Sequence, residues 1–532
     1  MKLEFVDKIA YFILNIAVAW LVLKEKFWCR IKRLHSNTYN SMLLLGLDIG
    51  TSSIKVAVVD VDTQQCIATT QYPETESAII SLQDGWAEQS PEMWWQHVQQ
   101  AILKANATKK YNPQDVAAIG IAYQMHGLVC VDKEQKVLRN SIIWCDSRAV
   151  EIGNNAFATI GEKKCLSHLL NSPGNFTASK LAWVKEHEPH IYEQIDKIML
   201  PGDFIAMKLT GEITTSASAL SEGVLWDFIN NELSKDVMDY FGFDGTIIPT
   251  IKNVFEEHGL LNETVAKHLS LPANIPVTYK AGDQPNNALS LNVLQLGEVA
   301  ATAGTSGVIY GVGNSLSYDK QSRINGFAHV NHTAAQTSIG TLLCINGTGI
   351  ANSFSKKLLA ADSTYPLMNN AAKQIPIGSE GLCVLPFGNG AERIFNNKNI
   401  GAHYLNINYN LHAQAHIFRA VQEGIAFSFR YGLDIMKENG INPTVIRAGK
   451  ANLFLSDVFI SAFVNANNVP VELYQTDGAI GAAKGAGIGA KIFANEKEAF
   501  QHMEVLQVVE PTVYKAYNEV YENWKGLLMK QL

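Results

Sequence analysis

The sequence predicts an α/β protein built from two related domains that face each other across a cleft. Three observations predict it. The chain has 532 residues, too many for one hydrophobic core. From Met42 onward, short apolar strands alternate with segments of helical periodicity. A small turn, Gly50-Thr51-Ser52, is repeated as Gly304-Thr305-Ser306, each time between two apolar strands.

Composition narrows the class. A hydrophobic content of 47% with 17% charged residues fits a folded enzyme and excludes a disordered chain. Net charge is −7 and the body has no long basic run, so nucleic-acid binding has no electrostatic footprint. The seven cysteines are scattered, odd in number and form no CxxC pair. That argues against a disulfide framework or zinc site and for a reducing, cytoplasmic setting.

The first residues differ from the rest. Residues 9–23, "IAYFILNIAVAWLVL", are apolar apart from Asn15 and are flanked by Lys8 and by Lys24, Lys26, Arg30, Lys32 and Arg33. The run is shorter than the about 20 residues of a membrane span. No small-residue cleavage site follows it. A membrane anchor, a mis-assigned start and an amphipathic extension all fit. A start at Met42, directly before the first strand, is the preferred reading, with 1–41 outside the fold and no membrane contact expected.

The elements follow in order. "LLLGLDIGTSSIKVAVVD" (43–60) reads as strand, turn and strand, with Asp48 among the last apolar positions. In "GWAEQSPEMWWQHV", Ser90 caps a helix with Pro91 at its first position, and Trp94 and Trp95 pack. "IGIAYQMHGLVCVD" is a buried strand ended by Gln124-Met125-His126-Gly127. A strand over Ile275 to Tyr279 is followed by a loop carrying Asp283. Ile417, Val421, Ile425 and Phe429 recur at helical spacing, and Asn439-Gly440 stops that helix. A strand then leads to a small-residue loop at Ala448-Gly449, and "DGAIGAAKGAGIGA" suits a helix packed closely on a neighbour.

These pieces suggest a chemistry. Backbone N–H groups of Gly/Ser/Thr turns can converge on phosphate oxygens, and two such turns could grip a polyphosphate from both sides of a cleft. Each taken alone could equally be a plain hairpin. Asp48, in a buried strand, is costly unless satisfied, and a Mg²⁺ ion riding on the phosphates would satisfy it. Asp283, shortly before the second turn, could accept a proton from a hydroxyl attacking the terminal phosphate. Gln124 and His126 at a strand end suit sugar hydroxyls.

Together "GLDIGTSSIKVAVVD", "GWAEQSPEMWW", "IAYQMHGLVCVD", "IIWCDSR", "LPGDFIAMKLTGE", "AGDQPNNA", "AGTSGV", "LPFGNGAER" and "VQEGIAFSFRYGLDIM" resemble the FGGY family of carbohydrate kinases, and within it the members that act on xylulose, for which "QMHG" speaks. The resemblance implies two actin/hexokinase-like (ribonuclease H-like) domains, here 42–281 on the sugar side and 282–532 on the nucleotide side. It implies transfer of the γ-phosphate of ATP to O5 of D-xylulose with Mg²⁺. Asp283 would be the catalytic base and Asp48 would stand by the metal. Met125, His126, Asp283 and Gln284 would line the sugar. Gly50, Thr51 and Ser52, with Gly304, Thr305 and Ser306, would hold the phosphates. Gly449 and Asn452 would face the nucleotide. A homodimer stays open.

Three departures stand out. Ala448 and Lys450 interrupt the usual glycines of the nucleotide loop, Gln284 stands where Asn is common, and Ile394-Phe395 replace Thr-Pro. A family member acting on another ketose or a polyol, and a non-catalytic sugar sensor, are the rival readings.

Overall fold

The computed structural model describes residues 41–532. The apolar run at 9–23 lies outside them, and so do residues 1–40, on which the start preferred at Met42 turns. Two mixed sheets organise the described chain. The first is made of β1 (Leu43–Ile49), β2 (Ile54–Asp60), β3 (Cys66–Tyr72), β4 (Val116–Tyr123) and β5 (Val277–Gly282), in the order β5-β4-β1-β2-β3. β1, β2 and β3 form an antiparallel meander, while β4 runs parallel to β1 and β5 parallel to β4. The second contains β6 (Glu298–Ala303), β7 (Gly307–Gly313), β8 (Ile339–Ile345), β9 (Val445–Gly449) and β10 (Val471–Tyr474). Its central order is β8-β7-β6-β9-β10, with the same parallel and antiparallel pairs. Short strands Asn325–Ala328 and Val505–Val509 extend its two edges.

The repeat seen in the turns is therefore a repeat of the whole sheet. Both Gly-Thr-Ser turns join the first and second strands of their own sheet. The parallel strands of each sheet end together, and the loops that leave those ends carry the residues singled out in the sequence.

The helices tie the halves together. α1 (Pro91–Ala107) begins as expected, with Ser90 as its cap and Pro91 at its first position, and Trp94 is buried against the first sheet. α2 (Asp283–Ser290) follows β5 and touches strands of both sheets, β4 and β5 of the first and β6 and β7 of the second. α4 (Gln414–Glu438) covers the second sheet with a continuous buried stripe, and α3 (Gly349–Leu359) packs on α4. α5 (Gly478–Gly489) follows β10 yet lies across β1, β4 and β5 of the first sheet. Its close approach requires bare backbone beneath it. A Cβ on Gly46 would meet the Ala479 carbonyl oxygen at 1.9 Å, and one on Gly120 the Ala482 oxygen at 2.0 Å.

Two local expectations are corrected. Asp283 opens a helix rather than sitting in a loop. Pro285 falls in the first turn, where its missing N–H breaks no helical bond, and the acid faces the positive end of the helix dipole. Ala448 and Gly449 belong to β9, paired with β10, so the loop starts only at Lys450. Among the described residues, six cysteines are free and no helix is long and apolar enough to cross a membrane.

Candidate active site

Asp48 sits at the end of β1, two residues before Gly50 of the first turn. Its carboxylate is pressed against the start of α5: a Cβ on Gly478 would come within 2.5 Å of Asp48 Oδ2. No hydrogen-bond donor reaches that carboxylate among the described residues, and burial raises it to about 6, with Lys55 opposing and Asp477 adding. Asp477, the cap of α5, accepts from the Ile480 N–H at 3.0 Å. It is a third acid of the cleft that the sequence reading missed; the capping signal before the small-residue helix was the clue.

Asp283 starts from the neighbouring end of β5 and shares the cleft with Asp48. Burial and the Asp48 charge push its carboxyl up to about 7, while hydrogen bonds from Gln284 oppose the rise. Gln284 is thus placed beside Asp283. Met125 packs its side chain against Gly282, where a Cβ would lie 2.7 Å from Met125 Cγ.

His126 occupies the left-handed region, at φ +63°, which residues other than glycine rarely adopt. The surroundings hold it there. The ammonium of Lys180 donates to its carbonyl at 2.9 Å, and its ring Nδ1 lies 2.9 Å from the Glu222 carbonyl oxygen. A carbonyl only accepts, so Nδ1 carries the proton and Nε2 keeps its lone pair. Burial lowers the ring to about 3, and the charges of Lys180 and Arg393 add to that, so it stays neutral. The Glu222 carboxyl is 1% exposed and accepts from the Tyr123 hydroxyl at 2.7 Å. Burial drives it well above its ordinary range against that bond, and Asp283 adds to the rise. Glu222 was missed as well, and no local signal pointed to it, since it lies 99 residues after Tyr123 in the chain.

Gln124 does not meet the expectation that it bonds a sugar. It is 2% exposed, accepts from Thr51 Oγ1 at 3.1 Å and donates to Gln89 at 3.1 Å. Thr51 Oγ1 also accepts from Trp144 Nε1 at 2.9 Å, and Gln89 donates to the Thr51 carbonyl at 2.8 Å. These bonds freeze the first turn. Its Thr51 and Ser52 N–H groups have no acceptor among the described residues.

The second turn is held from behind. The Gly304 carbonyl accepts from the Gly349 N–H at 2.9 Å and that of Thr305 from the Ile350 N–H at 3.1 Å, so the turn caps α3. The N–H groups of Thr305 and Ser306 likewise lack a partner among the described residues. Gly304, Thr305 and Asn452 line a cavity of about 870 Å³ with Gly349, Asn369 and, from the first half, Glu76. Asn452 is left-handed at φ +53°, and its amide is 3.7 Å from where a Cβ of Gly304 would stand. Gly449, ending β9, lies behind this loop. The structure thus brings Gly304, Thr305 and Asn452 to the cavity, while Ser306 and Gly449 are not part of its lining.

The FGGY carbohydrate-kinase N-terminal domain matches residues 43–290 and the C-terminal domain of the same family matches 299–490. The chain belongs to the FGGY family of carbohydrate kinases. It is an ATP-dependent sugar kinase with two actin/hexokinase-like domains. The kinase is 28% identical over 504 residues to a xylulose kinase of Escherichia coli K12, covering 92% of this chain and 99% of that one. A ligand-bound xylulose kinase of Lactobacillus acidophilus superposes with a TM-score of 0.83 at 22% identity, over 92% of this chain and 98% of the other. A glycerol kinase of Plasmodium falciparum with ADP superposes equally well, at 0.82 and 20% identity, over 92% and 98%. The fold is therefore common to kinases of different polyols and sugars.

The family uses Mg²⁺ with ATP. The orphaned Asp48 carboxylate suits a hard cation that keeps most of its waters. No group of three or more metal-ligating side chains occurs among the described residues.

Proposed function

We propose that the kinase transfers the γ-phosphate of ATP to O5 of D-xylulose, giving D-xylulose 5-phosphate and ADP. The observation that carries this reading is the wall beside Asp283. There a neutral His126 presents the Nε2 lone pair to a hydroxyl donor, and Met125 supplies an apolar contact. The names of the relatives point the same way. In this reading the sugar hydroxyl attacks the γ-phosphorus, the new O–P bond forms as the bond to the bridging oxygen breaks, and ADP leaves. The hydroxyl proton passes to the Asp283 carboxylate. Gln284 steadies that carboxylate and, with Met125 and His126, lines the sugar. The free N–H groups of Thr51 and Ser52 and of Thr305 and Ser306 hold phosphate oxygens, Gly50 and Gly304 keep side chains out of the way, and Gly449 and Asn452 face the nucleotide. Bound Mg²⁺ neutralises charge on the phosphates, and Asp48 is the residue that would hold it through its waters. Residues 42–281 then serve the sugar and 282–532 the nucleotide.

ADP release measured over D-xylulose, D-ribulose, L-ribulose, D-fructose, gluconate and glycerol tests the reading. D-xylulose is expected to give the highest kcat/KM. A higher value for any other acceptor replaces it with that substrate.

A further inference from the structure

Arg393 comes from the second half of the chain, at the start of the 3-10 turn Arg393–Phe395. The two residues after it, Ile394 and Phe395, are 2% and 4% exposed in the core of that half and anchor it there. Its side chain points the other way. The guanidinium lies 5.8 Å from the ring of Phe176, a first-half residue, and Phe176 packs edge-on against His126 at 4.7 Å. Its charge also reaches the Cys344 thiol, which stands beside Ser306 of the second turn. Arg393 therefore spans the cleft between the sugar-side wall and the second phosphate turn.

Its pairing is incomplete. Nη1 is buried without a hydrogen-bond partner, and among the described residues the guanidinium has no carboxylate to pair with. The adjacent Glu392 is no substitute. Its carboxylate accepts from the Asn346 N–H at 3.0 Å and the Gly347 N–H at 3.1 Å. A guanidinium whose Nη1 is shut off from water without a partner is costly, and a contact with one aromatic face compensates little. Burial accordingly lowers its proton affinity, with the Cys344 thiol opposing. An anion is the partner that satisfies both its charge and its open N–H, and the planar fork suits the oxygens of a phosphoryl group.

We propose that Arg393 binds the oxygens of the phosphoryl group as it reaches the sugar, and those of the sugar phosphate that results. This extends the proposed function, because it takes the His126 wall as the sugar's side of the cleft. It makes Arg393 a residue that senses the phosphorylated state of the acceptor: the free sugar leaves the guanidinium unpaired, and the ester satisfies it.

Equilibrium binding to wild type, Arg393→Met and Arg393→Lys tests this. The three ligands are the ketose that wild type phosphorylates best, its phosphate ester, and Mg·ADP. In Arg393→Met the ester is expected to bind about 10–100-fold more weakly, with free ketose and Mg·ADP changed less than about twofold and kcat reduced. Arg393→Lys keeps the charge without the fork and should recover part of the loss. Unchanged ester affinity in Arg393→Met overturns the proposal. If that variant does not fold, Arg393→Lys decides: a loss confined to the ester supports it, and an equal loss for all three ligands overturns it. Should the preferred ketose not be D-xylulose, only the substrate assignment falls, because the ester used is that of the ketose found.

Discussion

One aspartate of the cleft carries opposite demands. Asp283 must be ionised to take a proton, yet its surroundings push it up to about 7. kcat/KM for the sugar should therefore rise with pH through about 7 and level off above it. Asp283→Asn should lower kcat by about 10²–10⁴-fold and leave ATP binding nearly intact; wild-type turnover in that variant would mean another base. Stability should move the other way. An unfolded aspartate titrates near 4, so between about 4 and about 7 the native chain holds a proton that the unfolded chain has lost. Stability present at low pH is thus lost as pH rises through the folded value. Without ligands, Asp283→Asn should melt higher than wild type at pH 8, and the gap should close toward pH 4. At His126 the expectation is a ring that never charges above pH 5, since it titrates near 3. His126→Ala removes an acceptor for the sugar and strands the Glu222 carbonyl. That typically costs about 1–3 kcal/mol, or roughly ten- to a hundredfold in sugar affinity. Calorimetry should find Mg·ATP binding unaltered, and an unchanged sugar KM would remove His126 from the site.

At the scale of elements, two kinds of glycine separate packing from function. Gly46 meets the backbone of α5, where a Cβ has no room and no flexible atom can yield. Gly46→Ala should cost about 1–3 kcal/mol or more by overpacking. Gly304 is different: the nearest atom to its Cβ is 3.7 Å away and belongs to the Asn452 amide, on the cavity side. Gly304→Val should fold, with a melting temperature close to wild type, but weaken ATP much more than sugar. Intact nucleotide affinity in a folded Gly304→Val chain would make the turn a plain hairpin. The second turn has little freedom to adjust, because its carbonyls are already committed to the first N–H groups of α3.

For the whole molecule, the crossing of α5 to the first sheet decides cooperativity. α5 follows β10 but covers β1, β4 and β5, so the first sheet is completed by the end of the chain. Expressed alone, residues 42–296 would expose the apolar face that α5 buries, together with the Gly46 and Gly120 backbone. That fragment is expected to aggregate or to show no cooperative melt. A sharp calorimetric transition from it would refute the dependence. In the full kinase, a ligand held between the halves should stabilise both: one present at 100 times its Kd adds about 2.7 kcal/mol, read as a rise in melting temperature.

Much of this was legible in the chain itself. Strand alternation, the Ser90–Pro91 helix start, the repeated Gly-Thr-Ser turn and the acid at Asp48 are local patterns, governed by backbone propensity and the cost of burying a charge. So is the small-residue run of α5, whose close packing follows from missing side chains. Other features depend on distance in the fold and leave no local mark. Gln124 looks like a sugar ligand at a strand end, but Gln89, 35 residues away, and Thr51 claim its amide. Asp283 looks like a loop residue because Pro285 follows, yet a helix tolerates proline in its first turn. Glu222 and Arg393 reach His126 from segments remote in sequence, one from each half. Sequence alone therefore determined the two repeated units and the types of group they carry. Tertiary structure decided which groups remain unpaired in the cleft, because a hydrogen bond or an ion pair is satisfied by proximity in space, which the order of residues does not encode.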